Sequence, residues 1–189
     1  PDGACGLPGD RNITVTYTVS APATLTMDIS ATTDEPTAMN LANHSYWNLD
    51  GTANWDNHQL QIAAEDFLPN TAGNHPTGEI TNVAGTTLDF RNPRTITQTQ
   101  PALDTNFCLS TTRQPKRDVL TLRGTSGIAL AIATTEPGIQ IYDGRHAGYK
   151  GLAIEPQCWP DAPNHRGFPS ITIKPDQPYA QTTTWHFTR

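Results

Sequence analysis

The residue best suited to proton transfer is a histidine in the segment Asn40–Leu49. The segment reads Asn-Leu-Ala-Asn-His-Ser-Tyr-Trp-Asn-Leu, so His44 is flanked by amides, a hydroxyl and two aromatic rings. A histidine exchanges protons near neutral pH, amides bond hydroxyl groups, and aromatic rings pack against the C–H face of a sugar. His44 is therefore a candidate acid or base. The alternative is a histidine that is hydrogen-bonded at a strand end beside core aromatics.

A second candidate is the carboxylate in Gly151–Gln157, which reads Gly-Leu-Ala-Ile-Glu-Pro-Gln. The alternation of this segment puts Glu155 on the face opposite its apolar side chains. Pro156 favours an extended backbone at the preceding residue and so fixes the direction of the carboxylate. Partial desolvation at the end of an apolar strand raises the pKa of a carboxyl group toward that of a useful base. The alternative is a strand-end glutamate paired with arginine or lysine.

Two further polar side chains could bind hydroxyl groups. Gln140 shares a strand face with Tyr142 in the segment Pro137–Tyr142, an arrangement that also suits a solvated sheet face. Asp104 opens the short strand Asp104–Phe107, and taken alone it is better explained as a turn-capping residue.

Composition excludes several other classes of protein. The formal net charge is -6 and no basic patch occurs, which argues against a nucleic-acid partner. The three cysteines are widely spaced, and the histidines have no metal-binding spacing. We therefore expect no metal and no cofactor. No apolar run approaches the roughly 20 residues of a membrane span, so we expect no membrane partner.

The elements that must position these residues are strands, because apolar residues recur with a period of two nearly throughout. No segment has a helical period over a helical length. The pattern predicts an all-β fold, an antiparallel β-sandwich, with the 189 residues in one domain. It also predicts that the apolar set of each strand lies on one face of a half-buried strand. The predicted strands are Asn12–Val19, Thr24–Ser30, Val119–Leu122, Ile128–Ile132, Ile139–Tyr142, Leu152–Glu155, Ile171–Lys174 and Tyr179–Phe187.

These segments together resemble the aldose 1-epimerase (galactose mutarotase) family. The resemblance rests on several short motifs in the right order: Pro1–Gly9, Asn40–Leu49, Ala84–Arg91, Asp104–Phe107, Pro137–Tyr142, and Ile154–Gln157 followed by Pro160–His165. The family resemblance implies a galactose-mutarotase-like supersandwich. It also implies that His44 is the general acid, that Glu155 is the general base, and that Asp104 and Gln140 bind sugar hydroxyls.

The resemblance also implies that the chain is incomplete. We expect residues 1–189 to be the C-terminal part of a single aldose 1-epimerase domain, lacking strands and sugar-binding residues of the family. Three alternatives stay open: a separate N-terminal segment as a second chain, a segment that is removed or unresolved, or no such segment. The resemblance suggests a cytoplasmic protein, although a periplasmic or secreted one is also compatible with the weakly charged composition.

The expected activity is interconversion of the α and β anomers of free aldohexoses such as galactose and glucose, by acid/base ring opening. The main alternative is a non-catalytic carbohydrate-binding β-sandwich module. A glycosidase that uses Asp104 and Glu155 as its two carboxylates is a further alternative. A hexose-phosphate mutarotase would need an arginine or lysine cluster, which the matched segments do not show.

Overall fold

Regular structure in the computed structural model, which describes residues 1–189, consists of fifteen strands and three short 3₁₀ turns. The turns are Ala4–Gly6, Arg145–Ala147 and Ala162–Asn164. The strands are β1 Arg11–Ser20, β2 Thr24–Thr33, β3 Thr37–Ala38, β4 Tyr46–Trp47, β5 Gln59–Ile62, β6 Asp66–Leu68, β7 Thr81–Asn82, β8 Arg94–Thr95, β9 Asp104–Cys108, β10 Arg117–Arg123, β11 Ala129–Thr134, β12 Gly138–Tyr142, β13 Leu152–Gln157, β14 Thr172–Ile173 and β15 Tyr179–Thr188.

Two large antiparallel sheets enclose the core. The larger has the strand order β1-β2-β15-β11-β10-β5-β8, and the smaller has the order β4-β13-β12-β9-β6-β7. β3 and β14 form a separate two-stranded pair. Side chains from both large sheets are completely buried between them, because alternate residues of each strand point to the same face. Leu122, Leu130 and Ile132 come from the larger sheet, and Ile139 and Ile154 from the smaller. The all-β sandwich prediction is confirmed.

Every strand that the alternation predicts is present. Two of them, β10 and β11, form a hairpin and pair up to Arg123 and Ala129. Gly127 has a φ of 90°, a conformation that favours glycine, and it lies in the connecting loop. Period-two alternation therefore located the predicted strands correctly but missed the short strands β3 to β8, which are two to four residues long.

The prediction that β1 is half-buried is wrong. Its apolar residues lie on the face that β2 buries, since Val15 pairs with Ile29 and Tyr17 pairs with Met27. Nevertheless Val15 is 46% exposed and Tyr17 is 52% exposed, while Ile29 and Met27 are 5% and 1% exposed. β1 is the outermost strand of the larger sheet, and none of the residues 1–189 covers its apolar face.

The smaller sheet brings the candidate residues together. Its first four strands are β4, β13, β12 and β9, in that order. β13 carries Glu155, β12 carries Gln140, and β9 begins at Asp104. The segment that contains His44 leads directly into β4. Residues that are far apart in the sequence thus become neighbours across one end of this sheet.

Candidate functional site

Three of the four predicted site residues come from adjacent strands. Glu155 pairs in register with Gln140, and Asp104 pairs with Tyr142. The Gln140 side-chain amide donates a hydrogen bond of 2.8 Å to the Asp104 carboxylate. The Asp104 side chain accepts this bond from Gln140 and none from a turn backbone, so the turn-capping alternative is not supported. The pair presents an amide and a carboxylate next to Glu155, a combination suited to binding hydroxyl groups.

The fourth residue, His44, approaches from an irregular segment that precedes β4. Its Nε2 atom lies 3.5 Å from Oε1 of Glu155. The partner of Glu155 is thus an imidazole, and not the arginine or lysine of the alternative interpretation. The structure brings all four predicted residues into one site, although their functional roles stay predictions.

The environment of Glu155 favours a base with a raised pKa. Burial of the carboxyl group raises its pKa above the usual range, the negative charge of Asp104 raises it further, and His44 acts in the opposite direction. A desolvated carboxylate with a raised pKa is a better proton acceptor at neutral pH than an exposed one. The desolvation anticipated from the apolar strand is present.

A row of aromatic rings borders the His44–Glu155 pair, and sequence reasoning identified only part of it. The ring of Tyr46 lies 5.1 Å from that of His44, and it stacks on Tyr149 at 4.2 Å with an interplanar angle of 18°. Burial raises the pKa of Tyr46, and the nearby Tyr149 and Tyr142 raise it further. Tyr149 was missed because it lies outside any strand pattern, in a loop whose path only the folded chain defines.

The loop that carries Tyr149 is attached to the sheet near its start. Arg145 donates a hydrogen bond of 2.8 Å to Asp143 and one of 2.6 Å to the carbonyl of Pro101. A cleft of about 310 Å³ lies between this loop and the sheet end, and its lining includes Asp104, Tyr142, Arg145 and His146. The site therefore has a concave margin on the side of Asp104.

Two other features bear on the type of site. The structure contains no group of three or more His, Cys, Asp or Glu side chains that could hold a metal ion. None of its helices has the length and apolar character needed to cross a membrane.

The fold and site together define a β-sandwich with a histidine–glutamate pair and a hydrogen-bonded glutamine–aspartate pair at the end of one sheet. The sequence profile described as Aldose 1-epimerase matches residues 1–186. The chain belongs to the aldose 1-epimerase family.

Individual relatives agree with this assignment. Galactose mutarotase from Bos taurus is 35% identical over 99% of the chain, and aldose 1-epimerase from Escherichia coli K12 is 31% identical over 98%. The crystal structure of a GalM/aldose epimerase homologue from C. elegans superimposes on the whole chain with a TM-score of 0.91 and 31% identity. That alignment covers 63% of the C. elegans chain.

The extent of the match corrects one expectation. We expected a resemblance to the C-terminal portion of the family, but the family profile matches nearly the entire chain, so that description is wrong. The chain spans 60% of the length of the bovine relative and 61% of the length of the E. coli relative.

Proposed function

We propose that this chain carries the acid/base pair of an aldose 1-epimerase, which interconverts the α and β anomers of free aldohexoses such as galactose and glucose. The observation that supports this most directly is the 3.5 Å approach of His44 Nε2 to Glu155 Oε1. The Gln140–Asp104 pair beside it supports binding of a polyhydroxylated ring.

In the proposed mechanism, Glu155 removes the proton from the anomeric hydroxyl while protonated His44 donates a proton to the ring oxygen. The bond between C1 and the ring oxygen breaks, which gives the open-chain aldehyde. Rotation about C1–C2 exposes the other face of the carbonyl, and the two proton transfers then run in reverse. The anomeric and ring oxygens are both bonded to C1, so two groups that lie close together can serve one oxygen each. Each proton transfer contributes about 10²–10⁴-fold to the rate.

Polarimetry of freshly dissolved α-D-galactose or α-D-glucose tests this function. The complete protein, with any additional segment that finishes its sugar site, is expected to accelerate the approach to the equilibrium rotation. His44→Asn and Glu155→Gln are each expected to remove most of that acceleration. A rate like that of the unsubstituted protein in either variant would rule out the role assigned to that residue.

We further propose that another polypeptide segment, such as the separate N-terminal segment expected from the sequence, completes the domain and its sugar site. The exposed apolar row of β1 supports this, because Ile13 and Val19 are 50% and 82% exposed although they continue a buried sheet face. That row adjoins the site, since the Asn43 side chain donates a hydrogen bond of 3.2 Å to the Tyr17 hydroxyl. The intact mass of the purified protein tests whether a second polypeptide accompanies it. The cytoplasmic location stays a prediction, which cell fractionation would test.

A further inference from the structure

His44 belongs to a segment that is attached at two points, once to β13 and once to the residue that follows it. Beyond His44, β4 pairs with β13 through Tyr46–Ala153 and Trp47–Leu152. The residues from Leu41 to Ser45 belong to no strand. The two β4–β13 pairs lie on one side of His44 and do not by themselves fix the path of the residues before it. A second attachment is therefore needed on the other side of His44.

Asn40 supplies that second attachment. Its side-chain nitrogen donates a hydrogen bond of 3.0 Å to the carbonyl of Cys158, and its side-chain oxygen accepts one of 2.9 Å from the amide N–H of Cys158. This reciprocal pair reproduces with a side chain the exchange of two hydrogen bonds between paired residues of an antiparallel ladder. The irregular segment is therefore fixed on both sides of His44, to β13 on one side and to Cys158, the residue that follows β13, on the other.

Gln181 fixes the backbone immediately after Glu155. This residue lies on β15 of the larger sheet, and its side-chain amide donates a hydrogen bond of 2.9 Å to the carbonyl of Pro156. β4 pairs with β13 only as far as Ala153, so no residue of β4 can hydrogen-bond to the backbone of Pro156. The side-chain oxygen of Gln181 in turn accepts a hydrogen bond of 2.8 Å from the hydroxyl of Tyr179. Gln181 is 2% exposed, so water is largely excluded from these bonds.

We propose that Asn40 is a positioning residue that sets the separation of His44 and Glu155, with Gln181 fixing the backbone after Glu155. Asn40 acts on the side of the acid, and Gln181 acts on the side of the base. The effect on catalysis rests on the proposed function, whereas the effect on the geometry of the pair does not. Neither residue is required to contact the sugar.

The first experiment follows Glu155 itself, by NMR of its labelled side-chain carboxyl group during a pH titration. His44→Asn is expected to raise the pKa of Glu155, because the positive imidazole lowers it in the intact pair. If Asn40 holds His44 close to Glu155, Asn40→Ala should also raise the pKa of Glu155. Adding His44→Asn to Asn40→Ala should then raise this pKa by less than His44→Asn alone does. This comparison is a double-mutant cycle that needs no enzymatic activity.

Asn82→Ala is the matched control. Asn82 lies on β7, at the edge of the smaller sheet opposite β4, and its side chain also donates one hydrogen bond and accepts one. It is expected to leave the pKa of Glu155 unchanged. A pKa that is the same in Asn40→Ala as in the unsubstituted protein, or additive effects of Asn40→Ala and His44→Asn, would overturn the proposal.

The second experiment measures steady-state mutarotation. A misplacement of about 1 Å can cost about 10²-fold in rate, so Asn40→Ala is expected to lower kcat by up to that factor with KM nearly unchanged. Gln181→Met is expected to lower kcat in the same manner. A rise in KM with kcat intact would contradict a positioning role. If the unsubstituted protein shows no mutarotation even with the segment that completes its sugar site, the proposed function fails while the titration still tests the geometry.

Asn40→Gln is measured in place of Asn40→Ala if the latter does not fold. It retains the amide but places it one methylene farther from the backbone, which displaces the segment that carries His44. The same rise in the pKa of Glu155 is expected, and its absence would count against the proposal.

Discussion

The side chains of His44 and Glu155 approach to 3.5 Å, but the imidazole is 53% exposed and the carboxylate only 11%. The two side chains therefore have different environments, one largely buried and one open to solvent. The carboxylate is desolvated and held by its strand, whereas the imidazole can exchange protons with water. In the proposed mechanism this asymmetry suits a buried base with a raised pKa and an acid that solvent can re-protonate.

Replacing Glu155 by Gln is expected to reduce mutarotation by about 10²–10⁴-fold, the typical contribution of one proton transfer. It should also increase the free energy of unfolding at neutral pH. The pKa of Glu155 is raised in the folded state, mainly by burial, so the ionised form is favoured more in the unfolded chain. The stabilising contribution of the protonated group is present below the ordinary pKa and is lost as pH rises through the raised one.

Urea unfolding of both proteins at pH 4 and pH 8 measures this effect. The increase in the free energy of unfolding caused by Glu155→Gln should be larger at pH 8 than at pH 4. If the two proteins differ in unfolding free energy by the same amount at both pH values, the buried charge of Glu155 does not reduce stability.

The pH dependence of the rate should report Glu155 and its neighbour Asp104. In the proposed mechanism Glu155 must be ionised, so kcat/KM should rise as pH increases through its raised pKa. Asp104→Asn removes a negative charge that raises this pKa, so the rise should move to lower pH. The maximum rate should also fall, since Asp104 is expected to bind the sugar.

Asp118→Asn provides the control for that profile. Asp118 is an exposed carboxylate on β10 of the larger sheet. Its removal changes the net charge equally but should leave the position of the pH profile unchanged. If both substitutions move the profile by the same amount, net charge and not the neighbouring carboxylate is responsible.

The uncovered face of β1 leads to a prediction about stability. Val15→Thr, on a residue that is 46% exposed, should change the unfolding free energy of the 189-residue chain by no more than about 0.5 kcal/mol. Ile29→Thr changes the residue directly opposite, which is 5% exposed, and should cost about 1–3 kcal/mol because a hydroxyl is buried. When the proposed additional segment is present, Val15→Thr should become costly as well.

Thermal or urea unfolding of each variant with and without that segment provides the measurement. A small cost for Val15→Thr in both situations would contradict the proposal that the segment packs on this face.

The fold was largely predictable because strand alternation is a local property of the sequence. The pattern in Thr24–Ser30 identifies both a strand and its apolar face, and the structure agrees. The same reasoning failed for the burial of β1, because a pattern shows which face is apolar but not what covers it. Covering depends on the position of the strand in the sheet, and β1 lies at the edge.

The site was predictable only in part, for a related reason. The raised pKa of Glu155 follows from an apolar strand ahead of it, which the sequence displays. The stacking of Tyr149 on Tyr46 and the pairing of Asn40 with Cys158 join distant segments. No local period or spacing encodes such contacts.

The ion pair between half-buried Arg113 and buried Glu136 should contribute strongly to stability. Arg113 donates hydrogen bonds of 2.6 Å and 3.1 Å to the two carboxylate oxygens of Glu136, whose side chain is fully buried. The guanidinium also lies over the ring of Tyr179, 4.4 Å from its centroid. Arg113→Met removes the hydrogen-bonded partner of the buried carboxylate and leaves only the more distant charge of Arg117. Breaking a buried ion pair in this way costs up to about 3–5 kcal/mol.

The cost should depend on pH and on the charge of the remaining partner. Burial already raises the pKa of Glu136, while Arg113 and Arg117 lower it, so loss of Arg113 raises it further. A protonated Glu136 needs no counter-charge, so Arg113→Met should cost less at pH 5 than at pH 8. For the same reason, the double variant Arg113→Met/Glu136→Gln should be more stable at pH 8 than Arg113→Met alone. Urea unfolding at both pH values measures this, and a cost that is independent of pH would mean that packing, and not the buried charge, accounts for the loss.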